Sequence, residues 1–345
     1  MSAPVLAVDD LRVVFDTDRG PALTIDGVSF EVRAGETVGI VGESGSGKST
    51  TSLAVMGLLP RNAQVTGSIR LQGRELLGLA DDEMRELRGN RVAMVFQDSL
   101  AALNPVVSVG DQLAEAVRVH RPGTRPSVLR ARAIELLELV GIPSPQTRVD
   151  RYPHEFSGGM RQRAVIAMAV ANEPSLIIAD EPTTALDVTV QAQILQVLRD
   201  VQTATGTAIM LITHDLGVVA GVADRVLVMY AGGLVEQGSV EQAFYEPSHP
   251  YTRGLLASLP RTDRRSRDER LFQIAGQPPR PTALPPGCRF GPRCGFFQAD
   301  PCATTAPPAV PVGTGHVAAC HFVDRVIATP VDATSSDARD RGTDD

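Results

Sequence analysis

Apolar and polar residues along the first hundred positions follow a pattern that predicts β-strands separated by turns. The segments VLAVDDLRVVF and GVSFEVRAGETVGIVG are rich in Val and Phe, and glycines mark the breaks between them. From about residue 108 to residue 142 the pattern changes, because Leu, Ala and Val recur at helical spacing until Gly141. The sequence therefore predicts a β-rich beginning followed by helices.

Two short apolar runs further along are typical of buried parallel strands. SLIIADEP (175–182) and TAIMLITHD (207–215) are separated by the helical pattern TVQAQILQVLRDVQ. The segment DRVLVMYAGGLVEQG then resembles two strands joined by a turn. Because buried strands alternate with helices, we expect an α/β fold with a helical insertion at about residues 101–163.

The composition shifts after about residue 241. A mixed charge run, RTDRRSRDER, is followed by the Pro-rich segment QPPRPTALPPG and then by four cysteines within 33 residues, whereas the preceding 287 residues contain none. The end, VDATSSDARDRGTDD, is polar and is expected to be disordered. There is no internal repeat, so we expect one α/β unit and not two.

Composition and charge exclude several classes of protein. With 43% hydrophobic and 21% charged residues, the chain of 345 residues has an ordinary globular mix. A net charge of −7 argues against nucleic-acid binding, which favours a basic face. No apolar run approaches the roughly 20 residues of a membrane-spanning helix. The start, MSAPVLAVDD, has neither a basic nor a long apolar region and predicts no secretory signal.

The segment GIVGESGSGKST, residues 39–50, matches the phosphate-loop pattern G-x-x-x-x-G-K-[ST] at Gly42, Gly47, Lys48 and Ser49. It lies between the strand-like VGIV and the helix-like TSLAVMGLL, which is the context that the motif requires. Backbone N–H groups of such a loop face the oxygens of a phosphate. We expect Lys48 to bridge the β- and γ-phosphates of a nucleotide and Ser49 to bind Mg²⁺.

Lys48 is also the one lysine among the 33 basic side chains, since the other 32 are Arg. An ammonium is a compact point charge, whereas the guanidinium fork of Arg is wider. The composition therefore suggests that Lys48 occupies a position that Arg cannot fill.

Polar side chains follow the two buried strands and a third apolar segment. Asp180 and Glu181 end the first strand, and we expect Asp180 to hold Mg²⁺ and Glu181 to act as general base toward water. His214 ends the next strand and is a candidate for contacting the γ-phosphate or orienting Glu181. Gln97 follows the apolar segment VAMVF.

Residues 154–187, HEFSGGMRQRAVIAMAVANEPSLIIADEPTTALD, resemble the ATP-binding subunits of ABC transporters. The segments FQDSLAALNP, HEFSGGMRQR and EPSHPYTRGLLASLP are similar to the oligopeptide/dipeptide importer branch, the peptide/nickel transporter family. The resemblance implies a RecA-like P-loop nucleotide-binding domain with antiparallel β and helical subdomains, and a small Cys-containing C-terminal extension. Residues 1–240 would form the nucleotide-binding domain. Residues 241–325 would form the C-terminal extension, and residues 326–345 would form a disordered tail.

The resemblance also implies roles for particular residues. Ser157, Gly158 and Gly159 match the ABC signature, which binds the ATP of an opposing subunit, Gln97 matches the Q-loop residue and residues 184–187 match the D-loop. Phe15 is the candidate for stacking on adenine, with a packed strand Phe as the alternative. The implied ATP ligands are Phe15, Gly42, Glu43, Ser44, Gly45, Ser46, Gly47, Lys48, Ser49, Thr50, Gln97, Asp180, Ser157, Gly158, Gly159 and Asp187. The implied catalytic residues are Glu181, His214, Gln97 and Lys48, and Ser49, Gln97 and Asp180 would hold Mg²⁺.

A transport role follows from the same resemblance. Two such subunits, which usually differ in this branch, would sandwich two ATPs and drive two membrane permeases at the cytoplasmic face, with an extracytoplasmic solute-binding protein supplying the cargo. Leu100 and Leu103 are candidates for the permease-docking surface or for internal packing. Nickel or another small solute is an alternative cargo. A non-transport ABC ATPase is the alternative outside transport, although such chains commonly carry two nucleotide-binding units.

The four cysteines, Cys288, Cys294, Cys302 and Cys320, are spaced C-x5-C-x7-C-x17-C. Four thiolates suit either zinc or an iron–sulfur cluster, but the C-x2–4-C pairs of zinc knuckles are missing. The importer branch carries a C-terminal cysteine motif associated with a [4Fe–4S] cluster, which the resemblance therefore implies here. Zinc and unligated thiols or disulfides remain the alternatives.

Overall fold

The computed structural model describes residues 3–96, 102–184, 186–259 and 272–330. These residues form two sheets, one of four strands and one of eight. The strands are β1 Leu6–Phe15, β2 Ala22–Val32, β3 Thr37–Val41, β4 Ala63–Leu71, β5 Arg74–Glu75, β6 Val92–Val95, β7 Leu176–Asp180, β8 Ala208–Thr213, β9 Arg225–Tyr230, β10 Gly233–Ser239, β11 Ala309–Gly313 and β12 His316–Ala319.

Some helices pack on the sheets, and others form a helical region at one side of the parallel sheet. They are α1 Lys48–Val55, α2 Asp81–Leu87, α3 Val109–Arg118, α4 Pro126–Leu139, α5 Gly158–Ala169, α6 Val188–Thr205, α7 Leu216–Val222, α8 Val240–Tyr245, α9 Pro250–Ala257 and α10 Val323–Ala328. Short helical turns lie at Pro145–Arg148, Pro153–Glu155, Gly291–Arg293 and Ala299–Cys302. None of the helices in the described residues is long and apolar enough to cross a membrane.

The eight-stranded sheet has a parallel centre. Its order is β11-β12-β10-β9-β3-β8-β7-β6, and the strands from β9 to β6 are parallel. Every residue of β3, β7 and β8 is buried, which explains why these segments are continuous apolar runs with no alternation. The predicted strands around residues 175–182 and 207–215 are confirmed.

The four-stranded sheet is antiparallel, in the order β2-β1-β4-β5. Phe15, at the end of β1, lies opposite Ala22 on one neighbour and Ala63 on the other. One face of this sheet packs on the parallel sheet through a core that includes Leu6, Ile25 and Ile40. Full burial of such side chains contributes about 1.5–3 kcal/mol each.

The helical region consists mainly of α3, α4 and α5, which share one core with the parallel sheet. Ser108 caps α3 by accepting a 3.1 Å hydrogen bond from Asp111 N, and Pro126 begins α4, so the sequence itself sets these helix starts. Leu103 is only 4% exposed and belongs to the same core. It packs internally and is unsuited to docking, and Leu100 lies outside the described residues.

The C-terminal residues extend the parallel sheet. β12 pairs antiparallel with β10, and β11 pairs with β12, so two strands are added at one edge. A buried bond of 2.8 Å between His316 Nε2 and Glu236 Oε1 links β12 to β10. The rings of Tyr230, Tyr251 and Phe290 pack together within a third core between the sheet and the C-terminal residues.

Candidate functional site

Five of the functional residues predicted from sequence, Lys48, Ser49, Asp180, Glu181 and His214, lie at one edge of the parallel sheet. β8 lies between β3 and β7, and the carboxyl ends of all three strands face this edge. The phosphate loop follows β3, Asp180 ends β7 and His214 follows β8. In open α/β sheets this edge is where ligands bind.

The phosphate loop folds tightly against β9 and β2, and two of its glycines have no room for a side chain. A Cβ on Gly42 would lie 2.2 Å from Met229 O. Gly47 has a φ of +105°, and a Cβ there would lie 2.5 Å from Ile25 Cδ1. The loop leads directly into α1, whose first N–H groups have no partner within the helix and can receive an anion.

Lys48 is held inside this loop. Its Nζ donates to Gly42 O at 2.7 Å and to Glu43 O at 2.9 Å, and the residue is 5% exposed. Burial lowers the pKa of Lys48, while the negative charges of Glu181, Asp180 and Glu43 oppose that effect. The ammonium is thus fixed where it can meet a phosphate.

Ser49 and Asp180 lie side by side, and Ser49 Oγ donates to Asp180 Oδ1 at 3.2 Å. Burial raises the pKa of Asp180, and the neighbouring Glu181 adds to the rise, although Ser49 and Lys48 oppose it. A hydroxyl and a carboxylate at a phosphate loop suit Mg²⁺, which takes few protein ligands and completes its shell with water and phosphate oxygens.

Glu181 is fixed by both its backbone and its side chain. Its φ is +46°, and its N–H donates to Ile212 O at 2.9 Å. Thr184 Oγ1 donates to Glu181 Oε2 at 2.8 Å, and His214 Nδ1 lies 3.2 Å from Glu181 Oε1. Burial would raise the pKa of Glu181, but the bonds from Thr184 and His214 and the charges of His214 and Lys48 lower it overall. The carboxylate is therefore ionised and oriented.

The backbone of Glu181 is strained, because a non-glycine residue rarely adopts a positive φ and such conformations cluster at functional sites. The side chain of His214 is 62% exposed, so its ring can face a ligand while it contacts Glu181. The structure thus brings together Lys48, Ser49, Asp180, Glu181 and His214.

The signature residues lie at the start of α5. Ser157 Oγ caps this helix by accepting from Met160 N at 3.3 Å, and Ser157 and Gly158 are exposed. Gly159 lies against the first turn of α6, where a Cβ would be 2.9 Å from Val190. Asp187 caps α6 by accepting from Thr189 N and Val190 N. These residues present a solvent-facing surface.

The other predicted ligands lie around the loop. Ser44 and Gly45 are exposed, Thr50 is half-buried and Ser46 is buried. Phe15 is half-buried at the end of β1 and lies opposite Ala22 of β2. Thr24, two residues after Ala22 on the same strand, has its carbonyl oxygen next to Gly47 of the phosphate loop. Gln97 lies outside the described residues.

Glu43 has partners that the sequence analysis did not anticipate. Its N–H donates to Tyr251 Oη at 2.8 Å, and its carboxylate accepts from Arg293 Nη1 at 2.8 Å and Nη2 at 3.1 Å. Arg293 is 250 positions away in sequence, so no local pattern could reveal this pair. Thr184, which fixes Glu181, was likewise matched only to the D-loop.

The four cysteines are free thiols that lie near one another. Burial raises the pKa of Cys294 to about 12 and of Cys320 to about 11, and the neighbouring cysteines add to both rises. Backbone N–H groups of Phe296 and Phe322 donate to the sulfurs of Cys294 and Cys320. Within the described residues, no three His, Cys, Asp or Glu side chains, these four cysteines included, form a group that could hold a metal ion.

Two family models match the chain. The ABC transporter model covers residues 25–184, and the model described as "Oligopeptide/dipeptide transporter, C-terminal region" covers residues 235–302. The first model covers the phosphate loop and the signature residues, and the second covers the segment that contains Cys288, Cys294 and Cys302.

Similar proteins carry related names. The oligopeptide transport ATP-binding protein OppD of Mycobacterium tuberculosis is 55% identical over 92% of this chain, which spans about half (52%) of that relative's length. OppD of Salmonella typhimurium is 48% identical over 92% of this chain and 93% of the relative. The dipeptide transport ATP-binding protein DppD of Bacillus subtilis is 53% identical over 84% of this chain and 86% of the relative.

Solved structures share the fold. A dimeric ATP-binding cassette, MJ0796, bound to ADP and Pi, matches with a TM-score of 0.60 and 26% identity over 68% of this chain and 98% of that one. The cbiO1 protein of Clostridium perfringens matches with a TM-score of 0.61 and 27% identity over 71% and 92%. The predicted α/β nucleotide-binding fold is therefore confirmed, and the chain belongs to the ABC transporter ATP-binding family, in the branch that carries the oligopeptide/dipeptide transporter C-terminal region.

Proposed function

We propose that this chain is the ATP-hydrolysing subunit of an importer that moves oligopeptides or dipeptides across the cytoplasmic membrane. The observation that carries the proposal is the convergence of Lys48, Ser49, Asp180, Glu181 and His214 at one sheet edge. The names of relatives with 48% and 53% identity, which are oligopeptide and dipeptide transport ATP-binding proteins, support the peptide cargo.

Residues 42–50 bind the triphosphate of ATP. Backbone N–H groups and the N-terminus of α1 meet its oxygens, and the Lys48 ammonium lies between the β- and γ-phosphates. Ser49 and Asp180, with Gln97 as the third expected ligand, would hold Mg²⁺, which would neutralise charge on the phosphates when bound. Phe15 stacks on the adenine ring.

Glu181 accepts a proton from the attacking water as the water oxygen bonds to the γ-phosphorus and the bond between that phosphorus and the β–γ bridging oxygen breaks, which releases ADP and phosphate. Its carboxylate suits this role because Thr184 and His214 fix both of its oxygens while keeping it ionised. His214 contacts the γ-phosphate, and the 62% exposure of its side chain supports this role.

The exposed signature residues support a second ATPase subunit as a partner. Ser157, Gly158 and Gly159 complete the ATP site of an opposing subunit, and the exposed Thr184 and Asp187 lie at the same interface. We propose that the partner is a different chain of the same family, and that two permeases and an extracytoplasmic solute-binding protein complete the importer. The subunit then lies at the cytoplasmic face of the membrane and meets it through the permeases.

A cargo assay tests the proposal. We expect deletion of the gene to abolish uptake of labelled dipeptides and oligopeptides, and the wild-type gene to restore it, while nickel uptake stays unchanged. Loss of nickel uptake with intact peptide uptake would overturn the peptide assignment. Intact uptake of both, together with ATP hydrolysis by the purified chain, would instead favour an ABC ATPase outside transport.

We also propose that Cys288, Cys294, Cys302 and Cys320 hold a [4Fe–4S] cluster. The four thiols are free and close enough to influence one another, and two sulfurs accept backbone hydrogen bonds of the kind that tune such clusters. The cluster would hold together a Pro-rich segment that has few apolar residues of its own.

Metal analysis of the full chain distinguishes the alternatives. Protein purified without oxygen should be brown, with broad absorbance near about 400 nm and about four irons per chain. Cys294→Ser should lower the iron content, whereas a substitution at an exposed serine such as Ser44→Ala should leave it unchanged. A colourless, iron-free preparation, with or without zinc, would overturn the cluster assignment.

A further inference from the structure

Two arginines that adjoin cysteines reach from the C-terminal segment into the nucleotide-binding core. Arg289 follows Cys288, and Arg293 precedes Cys294. Both make contacts with residues more than 200 positions away that surround the phosphate loop. The thiol site and the phosphate loop are therefore joined through side chains as well as through the sheet.

Arg293 is fixed on every side. Its guanidinium forms a bidentate pair with Glu43, and the side chain is only 5% exposed. Nε donates to Ala275 O at 3.0 Å, Nη2 to Ile274 O at 3.1 Å and Nη1 to Tyr230 Oη at 3.2 Å. Such a fork-to-carboxylate pair defines the orientation of both partners, unlike a contact through a single atom.

Glu43, which Arg293 holds in place, also contacts Lys48 through its backbone. The carbonyl of Glu43 accepts from Lys48 Nζ at 2.9 Å, while its N–H is held by Tyr251 Oη. Arg293 also neutralises the Glu43 carboxylate, which otherwise places a negative charge in the loop that receives the negatively charged triphosphate. The pair thus acts on both the shape and the charge of the loop.

Arg289 contacts residues that lie next to the phosphate loop. It pairs with Asp26 and donates to Ala231 O at 2.7 Å. The next residue, Gly232, donates to Ser46 O in the phosphate loop at 3.0 Å and accepts from Asp26 N at 2.9 Å. The cysteine-bearing segment therefore contacts the loop region at two places.

We propose that Arg293 is a positioning residue for ATP binding, through which the cysteine-bearing segment holds Glu43, and with it Lys48, in the geometry that accepts the triphosphate. This inference rests on the proposed ATPase function. It implies that the thiol segment influences nucleotide affinity although none of the four cysteines belongs to the phosphate loop.

A double-mutant cycle on the full-length chain tests the proposal. The dissociation constant of MgATP is measured for the wild type and for Arg293→Gln, Glu43→Gln and the double variant. We expect Arg293→Gln to weaken binding about tenfold, because it leaves an uncompensated carboxylate beside the phosphates. In the Glu43→Gln background the same substitution should cost less than about twofold, since no negative charge is then left unpaired.

Two further variants separate positioning from a general effect on folding. Arg293→Lys keeps the charge without the bidentate fork and should fall between wild type and Arg293→Gln. Arg325→Gln changes an exposed arginine of the same segment and should bind MgATP as the wild type does. Equal losses from Arg293→Gln in both backgrounds, or wild-type binding by Arg293→Gln, would overturn the inference. A wild-type chain that binds no MgATP would instead refute the proposed function.

Discussion

Glu181→Gln is expected to lower the steady-state rate of ATP hydrolysis by about 10²–10⁴-fold, the usual contribution of a general base, while MgATP still binds. Glutamine has nearly the same shape, so the bond from Thr184 and the contact with His214 can persist. The glutamine amide, however, cannot accept a proton from the attacking water as the carboxylate does. Colorimetric release of phosphate measures turnover, a nucleotide titration measures binding, and peptide uptake by cells that carry the variant should fall in parallel.

A second carboxylate provides the control for this experiment. Glu173→Gln removes an exposed partner of Arg132, in an ion pair of the kind that contributes little to stability, and should leave turnover unchanged. Turnover by Glu181→Gln within a few-fold of wild type would contradict the general-base assignment. Intact peptide uptake with abolished hydrolysis would separate transport from this subunit's ATPase activity.

The residues at the sheet edge were predictable because each is tied to a local pattern. A glycine-rich loop between a strand and a helix identifies Lys48 and Ser49, and apolar runs that end in polar residues identify Asp180 and His214. Adjacent parallel strands then bring these positions together without further information. The left-handed backbone of Glu181 has no such signal, since no glycine or asparagine marks it.

Other features depend on tertiary contacts that no local pattern encodes. The segments that form β11 and β12 are short and contain Pro311 and Gly313, which are unfavourable in strands, yet they extend the core sheet because β10 offers a free edge. Leu103 was a candidate either for docking or for internal packing, and its position in the core of the helical region shows the second. The pair of Glu43 and Arg293 joins residues 250 positions apart.

Lys48→Arg is expected to reduce ATP hydrolysis at least about 100-fold, comparable to the loss of one essential donor to a transition state. The ammonium occupies a space bounded by the carbonyls of Gly42 and Glu43, at 2.7 and 2.9 Å, and the wider guanidinium cannot enter it without moving the loop. The reverse exchange at an exposed position, Arg61→Lys, serves as the control and should keep wild-type turnover. Phosphate release at saturating MgATP is the measurement. Turnover by Lys48→Arg close to that of wild type would show that charge alone suffices at this position, and the single lysine of the chain would then have no structural reason to differ from its 32 arginines.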